Sequence, residues 1–166
     1  AYRVAGDPNK ALPLFNEALE GRRAVLGAEH LLTLDSLHIL AHFYFETSEP
    51  AKTIPLLKEI LAIKRKKFGE NNLDTLAVLN ELAASYARTG DLAKTKETLR
   101  ESIQLRREHF PDHWETYDTI SYFGAVMAML ELHEEAEPLL LEGIQPLSHT
   151  LDTPGPMCRS TTDVAI

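Results

Sequence analysis

The chain has 166 residues, 44% hydrophobic and 25% charged, a composition of ordinary globular protein with enough apolar side chains to build a core. Its net charge of −8 argues against a nucleic-acid partner, because phosphate binding needs clustered Lys and Arg, and favours a basic or neutral protein or peptide. A single cysteine, Cys158, excludes an intramolecular disulfide or a cysteine-based zinc cluster and fits a reducing, cytoplasmic setting; no apolar run nears the roughly 20 residues of a bilayer span, so no membrane role is expected.

Tyr2 stands 42 residues before Tyr44, which stands 42 before Tyr86. The chain is therefore expected to open near the end of a helix whose start lies before Ala1, as a piece of a longer protein. Gly6-Asp7-Pro8 closes that helix and starts the next, where Ala11, Leu12, Phe15, Ala18, Leu19 and Val25 are predicted to share one apolar face. Arg22 and Arg23 fall in its last turns, where positive charge offsets the helix dipole. From Thr33, the residues Leu37, Leu40, Ala41 and Tyr44 form the stripe of a helix ending near Thr47. Glu49-Pro50 starts a third helix with Ile54, Leu57, Ile60, Leu61 and Phe68, stopping at Gly69. Leu79, Leu82, Ala83 and Tyr86 mark a fourth. After the turn Thr89-Gly90-Asp91, Leu92, Leu99, Ile103 and Phe110 mark a fifth. Ile120, Phe123, Gly124 and Met127, then Ala136, Leu139, Leu140 and Ile144, complete seven helices. Pro13, Pro55 and Pro138 lie inside the second helices of their units, where a local kink or a wide first turn is expected. Periodicity stops after Pro146, and 149–166 reads as an irregular tail.

The stretch Lys64 to Leu76 recurs. Its basic pair, glycine and Thr-Leu match Arg22 to Leu34 at a spacing of 42, and return one residue shorter as Arg106 to Tyr117. A fixed period of this size is the mark of a repeat array. The basic run Lys64 to Lys67 is expected to be a solvated, dipole-compensating helix end.

Leu37-x-x-Leu40-Ala41-x-x-Tyr44 with Thr53-x-x-x-Leu57 resembles the tetratricopeptide signature. Leu79, Leu82, Ala83, Tyr86, Thr95 and Leu99 match at the same offsets, as do Ile120, Phe123, Gly124, Met127, Ala136 and Leu140. The long unit, with Gly27-x-Glu29-His30, is similar to the kinesin-light-chain type. Trp114-x-Thr116 and Ala136-Glu137-Pro138-Leu139-Leu140 also resemble bacterial arrays that follow Ser/Thr protein kinase domains. The resemblance implies an all-α fold, an α-α superhelix of antiparallel helix pairs over 1–148. Its units would be a truncated 1–32, then 33–74, 75–115 and 116–148. It implies no cofactor, and a concave groove, lined by the first helix of each unit, that binds peptides or partner proteins.

The stripe beside the core on each first helix should face that groove. It supplies His38, His42 and Phe45 in one unit, Asn80, Glu81 and Arg88 in the next, and Ser121 and Tyr122 in the last. The resemblance implies a peptide-pairing amide at Asn80; His38 and Ser121 at the matching positions break any amide ladder. Arg88 alone cannot form a basic clamp for a terminal carboxylate. Asp35, His38 and His42 have a spacing that could hold zinc or nickel, but a fourth ligand is missing and groove-lining polar roles rank above metal. His133-Glu134-Glu135 lacks the second histidine of a zinc-protease helix, and His109 and His113 read as surface. No phosphate loop or nucleophile motif appears.

These residues point first to a non-enzymatic protein-interaction scaffold. A regulatory or sensor extension of a larger signalling enzyme, such as a Ser/Thr kinase, comes second, and a free-standing enzyme last. Loss of the preceding half-unit would leave the Leu12, Phe15 and Leu19 face open to self-association.

Overall fold

The structure, a computed structural model, describes the backbone of residues 8–152 and the side chains of 11–143. Seven helices occur among these residues: α1 (Pro8–Leu26), α2 (Leu31–Glu46), α3 (Pro50–Phe68), α4 (Leu73–Thr89), α5 (Leu92–His109), α6 (Trp114–Met129) and α7 (His133–Asp152). No strand is found among them, and none of the helices is long and apolar enough to cross a membrane. The chain groups into two compact units that divide between Leu105 and Arg106, inside α5. α7 runs on to Asp152, past the array end expected at 148, and 153–166 lies outside the described residues, as does Tyr2.

In the first unit α1 packs on α2, α2 on α3 and α3 on α4. Leu37, Leu57, Ile60, Leu76, Leu79 and Leu99 are almost wholly removed from water. In the second, α6 packs on α7 around Ile120, Phe123, Met127 and Ala136. Two glycines let these helices approach. A Cβ on Gly124 would stand 2.8 Å from Leu140 Cγ, and one on Gly143 only 2.0 Å from Ser121 Oγ.

The turns follow the same period. Ser48, Gly90 and Glu131 occupy equivalent places between the two helices of a pair, and all three are left-handed, at φ 60°, 78° and 60°. Only the glycine takes this conformation without steric cost. Gly27 and Gly69, at φ 88° and 87°, close α1 and α3. At the equivalent place in the shorter third junction Phe110 needs no positive φ. Each following first helix is capped by a side chain in the same register. His30 Nδ1 accepts from Leu32 N at 3.2 Å, Asn72 Oδ1 from Asp74 N at 2.9 Å, and His113 Nδ1 from Glu115 N at 3.4 Å. These bonds satisfy donors that a helix start leaves open. Thr33 and Thr116 hydroxyls donate back to the carbonyls of Gly27 and Phe110, at 2.8 and 2.6 Å.

The basic pairs have two repeated jobs. The first member holds the opening turn of the next helix: Arg22 Nη1 donates to Leu32 O (2.9 Å), Lys64 Nζ to Asp74 O (3.2 Å), and Arg106 Nη1 to the Glu115 carboxylate (3.0 Å). The second member reaches the next long helix: Arg23 pairs with Glu59 at 2.6 Å, Arg65 with Glu101, and Arg107 with Glu142. Each of these links lies within one unit. The run from Lys64 is therefore more than a solvated helix end, since Lys64 and Arg65 tie α3 to α4 and α5.

Two further expectations change. The apolar face of α1 splits: Ala11 and Leu19 are buried, Leu12 and Phe15 half-buried, and Ala18 and Val25 exposed. Phe15 is covered by Phe43, edge to face at 5.6 Å between ring centroids. Ile60, at the place of Ala18 one unit on, has no exposed surface, so the two faces differ in cover and not in sequence pattern. Phe68 is 44% exposed at its helix end. The helix continues unbroken through Pro13, Pro55 and Pro138. Each is the sixth residue of its helix, so the single hydrogen bond it removes lies in the first turns, and each ring is exposed.

Candidate partner-binding surface on the first helices

On α2 the buried residues Thr33, Leu34, Ser36, Leu37, Leu40 and Ala41 leave an outward stripe of Leu31, Asp35, Ile39, His42 and Glu46 at helical spacing. Leu31 is 56% and Ile39 49% exposed, which is costly in water unless something covers them. The same stripe on α4 is Leu73, Ala77, Glu81, Ala84 and Arg88.

Two contacts join these helices at the surface. His38 Nε2 stands 3.7 Å from Glu81 Oε2, too far for a direct hydrogen bond, and no other partner reaches it. Burial pushes the His38 imidazole below its ordinary value of 6.5, against the opposite pull of Glu81. One to two turns on, the Arg88 guanidinium lies 3.7 Å from the Phe45 ring centroid and donates to Phe45 O at 2.7 Å. That carbonyl, in the last turn of α2, also accepts from Ser48 N at 3.4 Å. Arg88 is thus occupied as a helix clasp and is not held out for a ligand carboxylate. His42, between the two contacts on α2, is exposed and stands 4.0 Å from Glu46. Among the described residues no three His, Cys, Asp or Glu side chains cluster closely enough to hold a metal ion.

Asn80 faces its own pair partner: its Oδ1 accepts from Ser102 Oγ on α5 at 2.8 Å. Ser121 takes the equivalent position on α6 and sits in the space that Gly143 leaves on α7. In these two pairs the register therefore lies at the seam between the helices, whereas His38, its equivalent on α2, stands towards Glu81 on α4. A seam position must match its neighbour in size, which explains why the residue type changes along the array.

The outward stripe of α6 is Trp114, Asp118, Tyr122, Ala125 and Met129. Trp114 is 68%, Tyr122 37% and Met129 83% exposed, while Ile120 and Met127 on the opposite side are wholly buried. His113 backs the indole, with ring centroids 6.0 Å apart and planes at 30°. Sequence reasoning placed Tyr122 in the groove but missed Trp114 and Ile39 as candidates. Alignment of the units would have found them, since Leu31, Leu73 and Trp114 share one register and Ile39, Glu81 and Tyr122 another.

The sequence profile of the tetratricopeptide repeat matches residues 1–66 and 35–108. Solved structures that share the fold include the following two. One is of Podosopora anserina kinesin-light-chain-type, nearly identical TPR-like repeats: TM-score 0.74 and 22% identity, over 90% of this chain and 71% of that one. The other is BtubC (BKLC) from P. vanneervenii: TM-score 0.75 and 17% identity, over 96% of this chain and 63% of that one. No curated protein matches the chain in sequence. With an all-α fold of paired helices in a 42-residue register and a profile covering more than half its length, the chain belongs to the tetratricopeptide repeat family, in the form seen in kinesin-light-chain-like repeats.

Proposed function

We propose that this chain is a non-enzymatic interaction module whose first helices receive a peptide segment or partner protein on their outward faces. Tetratricopeptide repeats generally mediate protein–protein interaction. The observation that carries the reading is the exposure of Leu31, Ile39, Trp114 and Met129, each on the outward stripe of a first helix whose other side is buried. Arg88, Asn80 and Ser121 spend hydrogen bonds or space on holding helices together, which suits a binding face better than a catalytic one. His42, Phe45, Glu81 and Tyr122 are the proposed contact residues beside them.

The test is a pull-down from native lysate with the wild-type chain and the double variant Ile39→Asp, Tyr122→Ala. Both positions are exposed, so the fold is retained, and the double variant is expected to lose bound proteins that an α3 control, Lys58→Ala, keeps. Retention of every captured protein by the double variant would count against the first-helix faces.

A further inference from the structure

The face of α6 differs from its counterparts in what surrounds it. Between positions 108 and 152 the chain has no Lys or Arg, against ten Asp and Glu. The two arginines just before this stretch are engaged, Arg106 with Glu115 and Arg107 with Glu142. An aromatic and methionine stripe thus stands in a stretch whose own sequence supplies no Lys or Arg.

We infer that the outward face of α6 is a docking site for a cationic, apolar segment of another protein, one with Lys or Arg next to aliphatic side chains. Four observations fit this occupant. Trp114 is 68% exposed and keeps one ring face open opposite His113, and an indole face attracts Lys or Arg. Asp118, exposed one turn further along the stripe, is placed to pair with that same cation. Ala125 is small and Met129 is 83% exposed, leaving an adaptable apolar end for an aliphatic anchor. From Trp114 to Met129 the helix rises about 22 Å, the reach of roughly seven residues of extended peptide. An acidic segment would meet Asp118 on the stripe itself, within a stretch that carries ten Asp and Glu.

This inference rests on reading the first helices as the docking surface, and the experiment separates the two. Trp114 is the only tryptophan, so its emission reports binding on α6 directly. A random 12-residue peptide display library is selected on the chain at ~0.15 M salt, and the enriched peptides are titrated while Trp114 fluorescence is followed. The expected peptides carry Lys or Arg beside Leu, Ile or Val, change the Trp114 emission, and bind about tenfold or more weakly to Asp118→Lys and to Met129→Ala. A label on the peptide reads the same loss in Trp114→Ala. All three positions are exposed, and circular dichroism confirms the fold of each variant. Acidic enriched peptides would overturn the inference. So would peptides that bind without changing Trp114 emission and lose affinity only on Ile39→Asp, which would leave the first-helix reading standing. Peptides untouched by any of these variants, or a selection with no binder, would overturn both.

Discussion

Arg106→Ala should be the most damaging of the basic-pair substitutions. Arg106 is only 2% exposed, and its Nη1 holds the Glu115 carboxylate at 3.0 Å. Removing one partner of a buried ion pair costs about 3–5 kcal/mol because the other charge is stranded. Glu115 keeps about a third of its side chain in water, so solvent recovers part of that, but the buried aliphatic stem of the arginine is lost as well. The expected sum is about 2–3 kcal/mol, a fall in Tm of about 5–10 °C for a chain of this size. Urea unfolding followed by Trp114 emission reads the unit that contains α6, since Trp114 adjoins Glu115; circular dichroism reads the helices as a whole. In the equivalent Arg22→Ala, a half-buried side chain releases Leu32 O and Ser36 Oγ, and the expected cost is about 1 kcal/mol. If Arg106→Ala unfolds at the same urea concentration as Arg22→Ala, the buried pair does not hold the start of α6 as described.

Gly143→Ala should destabilise by about 1–3 kcal/mol despite the better helix propensity of alanine, because the new Cβ meets Ser121 Oγ at 2.0 Å and Ser121 Cα at 3.0 Å. Adding Ser121→Gly should recover part of the loss in thermal melts, and a more stable Gly143→Ala would refute the close crossing of α6 and α7. His38 contributes a pH dependence with a definite sign. Its folded pKa is lowered by burial, so the unfolded chain takes up the proton first; the contribution is full above about pH 6.5 and is lost as pH falls through that value towards the folded one. Stability curves at pH 7.5 and 5 should differ less in His38→Gln than in the wild type, and an unchanged difference would refute the assignment. Leu14, Ala18 and Val25 are exposed along α1. Concentration-dependent self-association in sedimentation equilibrium is expected, and Leu14→Glu should abolish it; a wild-type monomer at ~1 mM would refute this.

Helix number and order were legible because the 42-residue register repeats the core stripe three times, as with Leu37, Leu79 and Ile120. Periodicity could not separate Ala18 and Val25 from Leu19, since cover depends on which helix lies opposite. The ion pairs were harder to see. Arg23, Arg65 and Arg107 find their glutamates 36, 36 and 35 residues onward, and only the comparison of units at that offset exposes the pattern. The exposed stripe of the first helices was legible by face but not by residue. Asn80 and Ser121 turn to the seam within their pairs, where a serine and a glycine on the second helix decide what fits, whereas Ile39 and Trp114 were passed over because a hydrophobic residue at helical spacing is usually core.

The claim that a partner docks on the first helices is tested most directly by methyl NMR of the Ile- and Met-labelled chain with a selected peptide. Ile39 and Met129, exposed on α2 and α6, should show the largest shift changes in their units, ahead of Ile60, Ile103 and Met127 in the core. Largest changes at Ile54 or Ile63, on the second helix α3, would contradict it.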